Sequence, residues 1–319
     1  MKNILSFLLL ILVGILAPGS HANCHSAAGI TRSNAQTPDN QRVAAVTGAN
    51  KGIGFAIVKG LLQNFDGIVY LTARDEAKGL AAVEELKEAG FNPRFHQLDV
   101  SDDASVERFR DYLRDTHGGL DVLVNNAGIG FKDDAPEPLS EQAEKTIALN
   151  YFGVLRVSNA LFPLLRPHAR VVQISSNFGR LAWIPDEKLK AQLSRPDLTE
   201  AELTHLMREF VEATKTNTHQ SLGWPAEPYT VSKVGVAALA RIQQRAFDSD
   251  VREDIAVNAA HPGYVDTDLT SHLGVFTPER GAQSAIWLAT LPINTDIKGK
   301  FAWHNSTIVD WVNSPVDLE

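Results

Sequence analysis

The strongest constraint on this chain is an alternation. Short apolar runs that stop at glycine or a small polar residue are each followed by a stretch of helical periodicity. The first run, Val43-Ala44-Ala45-Val46-Thr47, ends at Gly48. An unbroken apolar run of this length suits a strand covered on both faces, since a strand with one wet face would alternate polar and apolar residues. Residues 53–63 then turn helical. Strand-like runs recur at 68–72, 94–98, 120–125, 171–175, 255–260 and 299–303, with helical stretches at 77–89, 104–116, 140–162, 229–247 and 278–290. Seven strands joined by right-handed helical crossovers predict an α/β fold: a doubly wound, seven-stranded parallel sheet with helices on both faces. The pattern assigns residues 42–312 to one domain, with a helical insertion at 177–228.

Residues 1–22 stand outside the pattern. Lys2 supplies a positive charge, residues 4–16 are almost continuously apolar, and Ser20-His21-Ala22 offers small residues for a cleavage site. This reads as a signal peptide, with an uncleaved N-terminal anchor as the alternative, although the apolar run is shorter than the roughly 20 residues of a spanning helix. Residues 23–41 are polar, without periodicity, and read as a flexible leader. The protein is then exported (periplasmic or secretory) or membrane-anchored by this segment, or cytoplasmic if the true start lies downstream. A membrane partner is expected only if the segment is uncleaved.

Composition narrows the partners. With 30 Lys+Arg against 38 Asp+Glu the formal charge is -8, which offers no basic footprint for nucleic acid and points to a small molecule. The single cysteine, Cys24, excludes an internal disulfide, and the ten histidines show no metal-ligand spacing. No metal is expected.

The turn after the first strand reads Thr47-Gly48-Ala49-Asn50-Lys51-Gly52-Ile53-Gly54. Glycines there let backbone amides approach a pyrophosphate while the next helix aims its positive end at the anion, as in Rossmann-type dinucleotide folds. Such folds usually carry an acidic residue at the end of the second strand to hold the adenosine ribose. Here Ala73 is followed by Arg74. With Lys51 as a second cation, the pocket favours a 2′-phosphate, hence NADP(H) over NAD(H). If Asp75 reaches the ribose instead, that preference weakens.

Tyr229 and Lys233 stand one helical turn apart at the start of residues 229–247. Four steps of 1.5 Å put both side chains on one face, about 6 Å apart. An ammonium at that range favours phenolate and lowers the tyrosine pKa towards working pH, which makes a proton donor for a developing alkoxide.

Thr47-Gly48-x-x-x-Gly52-x-Gly54, Asn125-Asn126-Ala127-Gly128, Ser175-Ser176, Tyr229-x-x-x-Lys233 and Pro262-Gly263 occur in the order of the short-chain dehydrogenase/reductase family. Asn50-Lys51-Gly52-Ile53-Gly54, Leu71-Thr72-Ala73-Arg74-Asp75, Phe95-His96-Gln97-Leu98-Asp99 and Gly223-Trp224-Pro225 resemble its monomeric, NADPH-dependent carbonyl reductases. The resemblance runs from about Val43 to Trp303. It implies reduction of aldehydes, ketones or quinones, with Tyr229 as proton donor and Lys233 lowering its pKa and holding the nicotinamide ribose. Ser176 would hydrogen-bond the substrate carbonyl, and Asn150 would hold a water between Lys233 and solvent. Asn126 would pack by the cofactor, Asp99 and Val100 would meet the adenine, and Val265 and Thr267 would face the carboxamide. Asp266 departs from the pattern by adding a negative charge. Asn177 and Phe178 would line the substrate pocket. A non-catalytic NADP(H)-binding sensor or scaffold is the alternative, and it expects damage to Tyr229, Lys233 or Ser176.

Within the insertion, Leu203, Leu206, Met207, Phe210 and Val211 form an apolar stripe. Thr199 with Glu202 makes a capping box in front of it. In the resembling reductases such an insertion covers the helical face through which other family members associate, so a monomer is expected, the alternative being a lid. Trp224 is expected either to wall the substrate or to anchor the insertion.

Overall fold

The computed structural model describes residues 41–132 and 134–315. The expected signal segment and, Gln41 apart, the leader lie outside the described residues.

The alternation becomes β1 (Val43–Val46), α1 (Gly52–Asn64), β2 (Ile68–Ala73), α2 (Glu76–Glu88), β3 (Arg94–Gln97), α3 (Asp103–His117) and β4 (Leu120–Asn125). After β4 come α4 (Leu139–Ile147) and α5 (Val154–Leu161), joined by the π-helical turn Ala148–Gly153, then β5 (Leu165–Ile174). The insertion contributes α6 (Glu187–Ser194) and α7 (Glu200–Lys215). The chain returns through α8 (Pro228–Phe247), β6 (Ala256–Ala260), α9 (Pro278–Ala289), β7 (Phe301–Ala302) and β8 (Ile308–Val309). The order across the sheet is β3-β2-β1-β4-β5-β6-β7-β8. Strands β1 to β7 pair parallel, in the expected doubly wound manner.

One strand was not expected. β8 pairs antiparallel with β7, making eight strands where the pattern predicts seven. It has two residues and is formed by a hairpin turn in which Trp303 N–H donates to Thr307 O at 2.8 Å. So short an edge pairing carries no periodicity to read. Likewise β5 begins at Leu165, ahead of the expected 171. Pro167 and His168, the latter at φ 64°, make its first half read as a loop, and the β4 to β5 register shifts there.

Each sheet face has its own core. On one, Ile57, Leu61 and Val83 pack with Ala285 and Leu288 under α1, α2 and α9. On the other, Phe109, Ile147, Val157 and Val234 pack with Leu203, Met207 and Phe210 of the insertion. Thus α7 docks on α4 and α8, and its stripe is covered as expected. The predicted capping box is present: Glu202 N–H donates to Thr199 Oγ1 at 3.2 Å, and Thr199 N–H donates back to Glu202 Oε2 at 2.8 Å.

The order also fixes where a ligand can lie. The chain winds outward from β1 through β2 to β3, then restarts beside β1 with β4. At that switch point the loops leaving β1 and β4 diverge to opposite faces and open a crevice at the carboxyl ends of the strands.

Candidate active site

The glycine turn enters the crevice straight from β1. Gly48 has φ 61°, and a Cβ there would stand 2.9 Å from Ala127 Cα, so a side chain would force the β1 and β4 loops apart. Gly54 is equally constrained, because its Cβ would meet Asn126 Nδ2 at 2.4 Å. Asn126 itself ties the loops together, donating to Thr47 O at 3.0 Å and Gly48 O at 3.1 Å. Thr47 Oγ1 accepts from Asn126 N–H and Ala127 N–H at 3.0 Å each. Behind this clamp, α1 starts at Gly52 with no side-chain cap and no acidic residue in its first turn. Its leading N–H groups are left for an anion, so the loop fits a pyrophosphate. Asn50 is half-buried in the same turn, while Ile53 packs against the core below it.

Where the adenosine is expected, Arg74 is exposed just past β2. Asp75, the competing ribose ligand, instead caps α2, accepting from Lys78 N–H at 3.0 Å. Past β3, Asp99 Oδ1 accepts from Ser101 Oγ at 2.6 Å and Ser101 N–H at 2.9 Å. Burial raises the Asp99 pKa, but these bonds and the Arg74 charge outweigh it and hold the carboxyl below its usual range. Val100 is buried against Gly153. Across the crevice, Val265 is buried within the loop after β6, and Thr267 Cγ2 lies 3.2 Å from where a Gly52 Cβ would stand.

The residues expected to handle the proton lie at the carboxyl end of β5 and the start of α8. Lys233 Nζ donates to Ile174 O at 2.9 Å and stands 5.6 Å from the centroid of the Tyr229 ring. Both face the crevice, as the helical spacing requires. Ser175 turns inward and donates to Lys233 O at 2.9 Å, whereas Ser176 faces Tyr229, close enough to bear on the charge of its phenol. Electrostatics depart from expectation here. Burial pushes the Tyr229 phenol up to about 12, with Ser176 pulling it down, and the lysine is not among the causes of the shift. Lys233 is itself pushed down to about 8 by burial. Desolvation dominates both groups because each is charged in only one of its protonation states and both are enclosed. At neutral pH the phenol keeps its proton.

Asn150 owes its position to the π-helical turn, a local widening that often marks a functional site. Its Oδ1 accepts from Ile129 N–H at 2.8 Å, and its Nδ2 donates to Ile129 O at 2.9 Å and Ser232 Oγ at 3.0 Å. Asn150 Oδ1 and Lys233 Nζ both border Gly128, at 3.3 and 3.4 Å from where its Cβ would stand.

One of the expected pocket residues is placed otherwise. Trp224 is 1% exposed and packs against Phe210 of α7 at 5.5 Å between ring centroids, so it anchors the insertion and does not wall an open pocket. The side-chain carbonyl of Asn177 is occupied by Arg180 Nε at 2.8 Å. The aromatic surface beside Tyr229 comes from Phe178, whose ring meets it edge-on at 6.5 Å, and from Trp183, which packs on Phe178 at 5.0 Å and donates to Asn177 O at 3.0 Å. Sequence reasoning passed over Trp183. An aromatic five residues after Phe178, before the insertion turns helical, was the available sign. Opposite them Leu269 Cδ1 comes within 3.3 Å of the Gly130 Cβ position, which Tyr229 also borders at 3.4 Å.

A crevice with an uncapped helix N-terminus, beside a buried Lys and a half-buried Tyr and Ser, defines a nucleotide-dependent oxidoreductase architecture. A family model described as short chain dehydrogenase matches residues 42–185. The chain belongs to the short-chain dehydrogenase/reductase family. It is 49% identical over 253 residues to carbonyl reductase [NADPH] 3 of Mus musculus, covering 79% of this chain and 91% of the relative. Against carbonyl reductase [NADPH] 1 of Homo sapiens the identity is 47% over 252 residues, covering 78% and 91%. Among solved structures, salutaridine reductase from Papaver somniferum superposes with a TM-score of 0.75 at 34% identity, covering 82% of this chain and 99% of that one.

Proposed function

We propose that this protein is an NADPH-dependent carbonyl reductase that converts aldehydes, ketones or quinones to alcohols or hydroquinones. The observation that carries the reading is the intact Tyr229, Lys233 and Ser176 cluster beside an uncapped α1 N-terminus. Identity of 45–49% to NADPH carbonyl reductases supports it. NADPH, bound along the crevice, supplies the hydride. This chain's residues do the remainder. Thr47, Gly48, Asn50, Lys51, Gly52, Ile53 and Gly54 seat the phosphates, Arg74 and Lys51 meet the 2′-phosphate, and Asp99 and Val100 flank the adenine. Asn126, Val265 and Thr267 fix the nicotinamide end. Ser176 donates to the substrate oxygen, and the Tyr229 hydroxyl gives that oxygen its proton. Lys233 steadies the phenolate left behind, and Asn150 fixes the loop beside Lys233. A positioned general acid of this kind contributes about 10²- to 10⁴-fold.

The non-catalytic sensor reading expects one of these groups to be missing or displaced, and no observation favours it. The test is NADPH oxidation with a panel of quinones and aromatic ketones. Turnover that needs both NADPH and carbonyl supports the proposal, and binding without turnover across the panel contradicts it. Arg74→Asp should shift the preference towards NADH, and an unchanged ratio would refute the 2′-phosphate assignment. The export reading rests on residues 1–22: a mature protein beginning at Asn23 supports it, and retention of Met1 argues against cleavage.

A further inference from the structure

Lys51, placed above at the 2′-phosphate, already has a partner. Its Nζ pairs with Asp268 Oδ2, from a residue 217 positions away on the loop after β6. The two ends differ in freedom. Lys51 is the extended residue just before α1, with its side chain 67% exposed on a flexible stem. Asp268, though its side chain is 58% exposed, is held through its backbone and by a histidine. It begins a 3₁₀ turn, Asp268–Thr270, whose start is boxed by Thr267 and Thr270. Lys132 grips its backbone oxygen and donates to Ser271 Oγ at 2.6 Å. His272 Nε2 lies 3.0 Å from Asp268 Oδ1, while its Nδ1 lies 2.7 Å from Asp266. The carboxylate is therefore held in place, and the lysine is the partner that can leave.

We propose that Asp268 sets cofactor preference as a counter-ion to Lys51, which it holds in the free protein and yields to a 2′-phosphate when NADPH enters. This rests on the assignment of Lys51 to the 2′-phosphate. A phosphate monoester, carrying up to two charges at neutral pH, outcompetes one carboxylate for the ammonium. Breaking the existing pair lowers the gain, and only for ligands that carry the 2′-phosphate. Exposed ion pairs are weak and screened, so the effect is about two- to five-fold and shrinks as salt is added.

The experiment measures equilibrium binding to the whole protein of adenosine 2′,5′-bisphosphate, adenosine 5′-monophosphate, NADPH and NADH. Asp268→Asn should tighten the bisphosphate and NADPH about two- to five-fold, leave the monophosphate and NADH unchanged, and lose this effect in a Lys51→Ala background. If Asp268→Asn leaves 2′-phosphate ligands unchanged or weakens them while Lys51→Ala weakens them selectively, the exchange is refuted and the site assignment stands. If Lys51→Ala has no selective effect on 2′-phosphate ligands, both fall.

Discussion

Lys233 meets two opposing demands. In the proposed reaction its charge would steady a phenolate on Tyr229, while its burial pushes its pKa from 10.5 down to about 8. Below that pH the amine is an ammonium, and above it the amine is neutral. The profile of kcat/KM, which reports the free enzyme, should therefore fall as pH rises past about 8. Lys233→Met should be slow throughout and lack that limb, and a flat wild-type profile up to pH 10 would remove the lysine from the chemistry. Residue identities were legible wherever a backbone rule demanded them. Gly48 and Gly54 sit where a side chain would collide with the neighbouring loop, and Tyr229 and Lys233 lie on one helix face as their spacing requires. The direction of the Tyr229 shift was not legible, because spacing gives the distance to a charge and says nothing of how much water is excluded around it. The same limit explains Trp224, whose position in the motif is fixed but whose burial depends on where Phe210 packs.

Helix starts were the most legible elements. Thr199 and Glu202 form their reciprocal box, and burial of Leu203, Met207 and Phe210 follows from the stripe. Thr199→Ala should cost about 1 kcal/mol in urea unfolding, and Phe210→Ala about 3–5 kcal/mol, because it leaves a cavity against Trp224. Equal small effects would show that the insertion contributes little to the core. Glu202, held down to about 2 by Arg195 and Thr199, keeps its charge at neutral pH, and the box is lost only as pH falls through that value. Less legible were the π-helical turn that carries Asn150 and the first half of β5. The former has the periodicity of the helices around it, and the latter carries Pro167, which reads as a break.

For the whole molecule, the sheet order creates one switch point, and it gathers residues from six strand ends into one crevice. The α7 helix covers α4 and α8, the face expected to serve association elsewhere in the family. Sedimentation should accordingly give a mass near 34.8 kDa or slightly less, and a dimer would mean that another surface serves for assembly. Delivery of the proton by the Tyr229 phenol, with the cofactor seated by other residues of the crevice, is the step on which the proposed reaction depends. Its most direct test is Tyr229→Phe, read by NADPH binding and by single-turnover reduction of a quinone or ketone. Binding should be unchanged while the rate falls at least about 10²-fold. A variant that binds NADPH and turns over at the wild-type rate would contradict it.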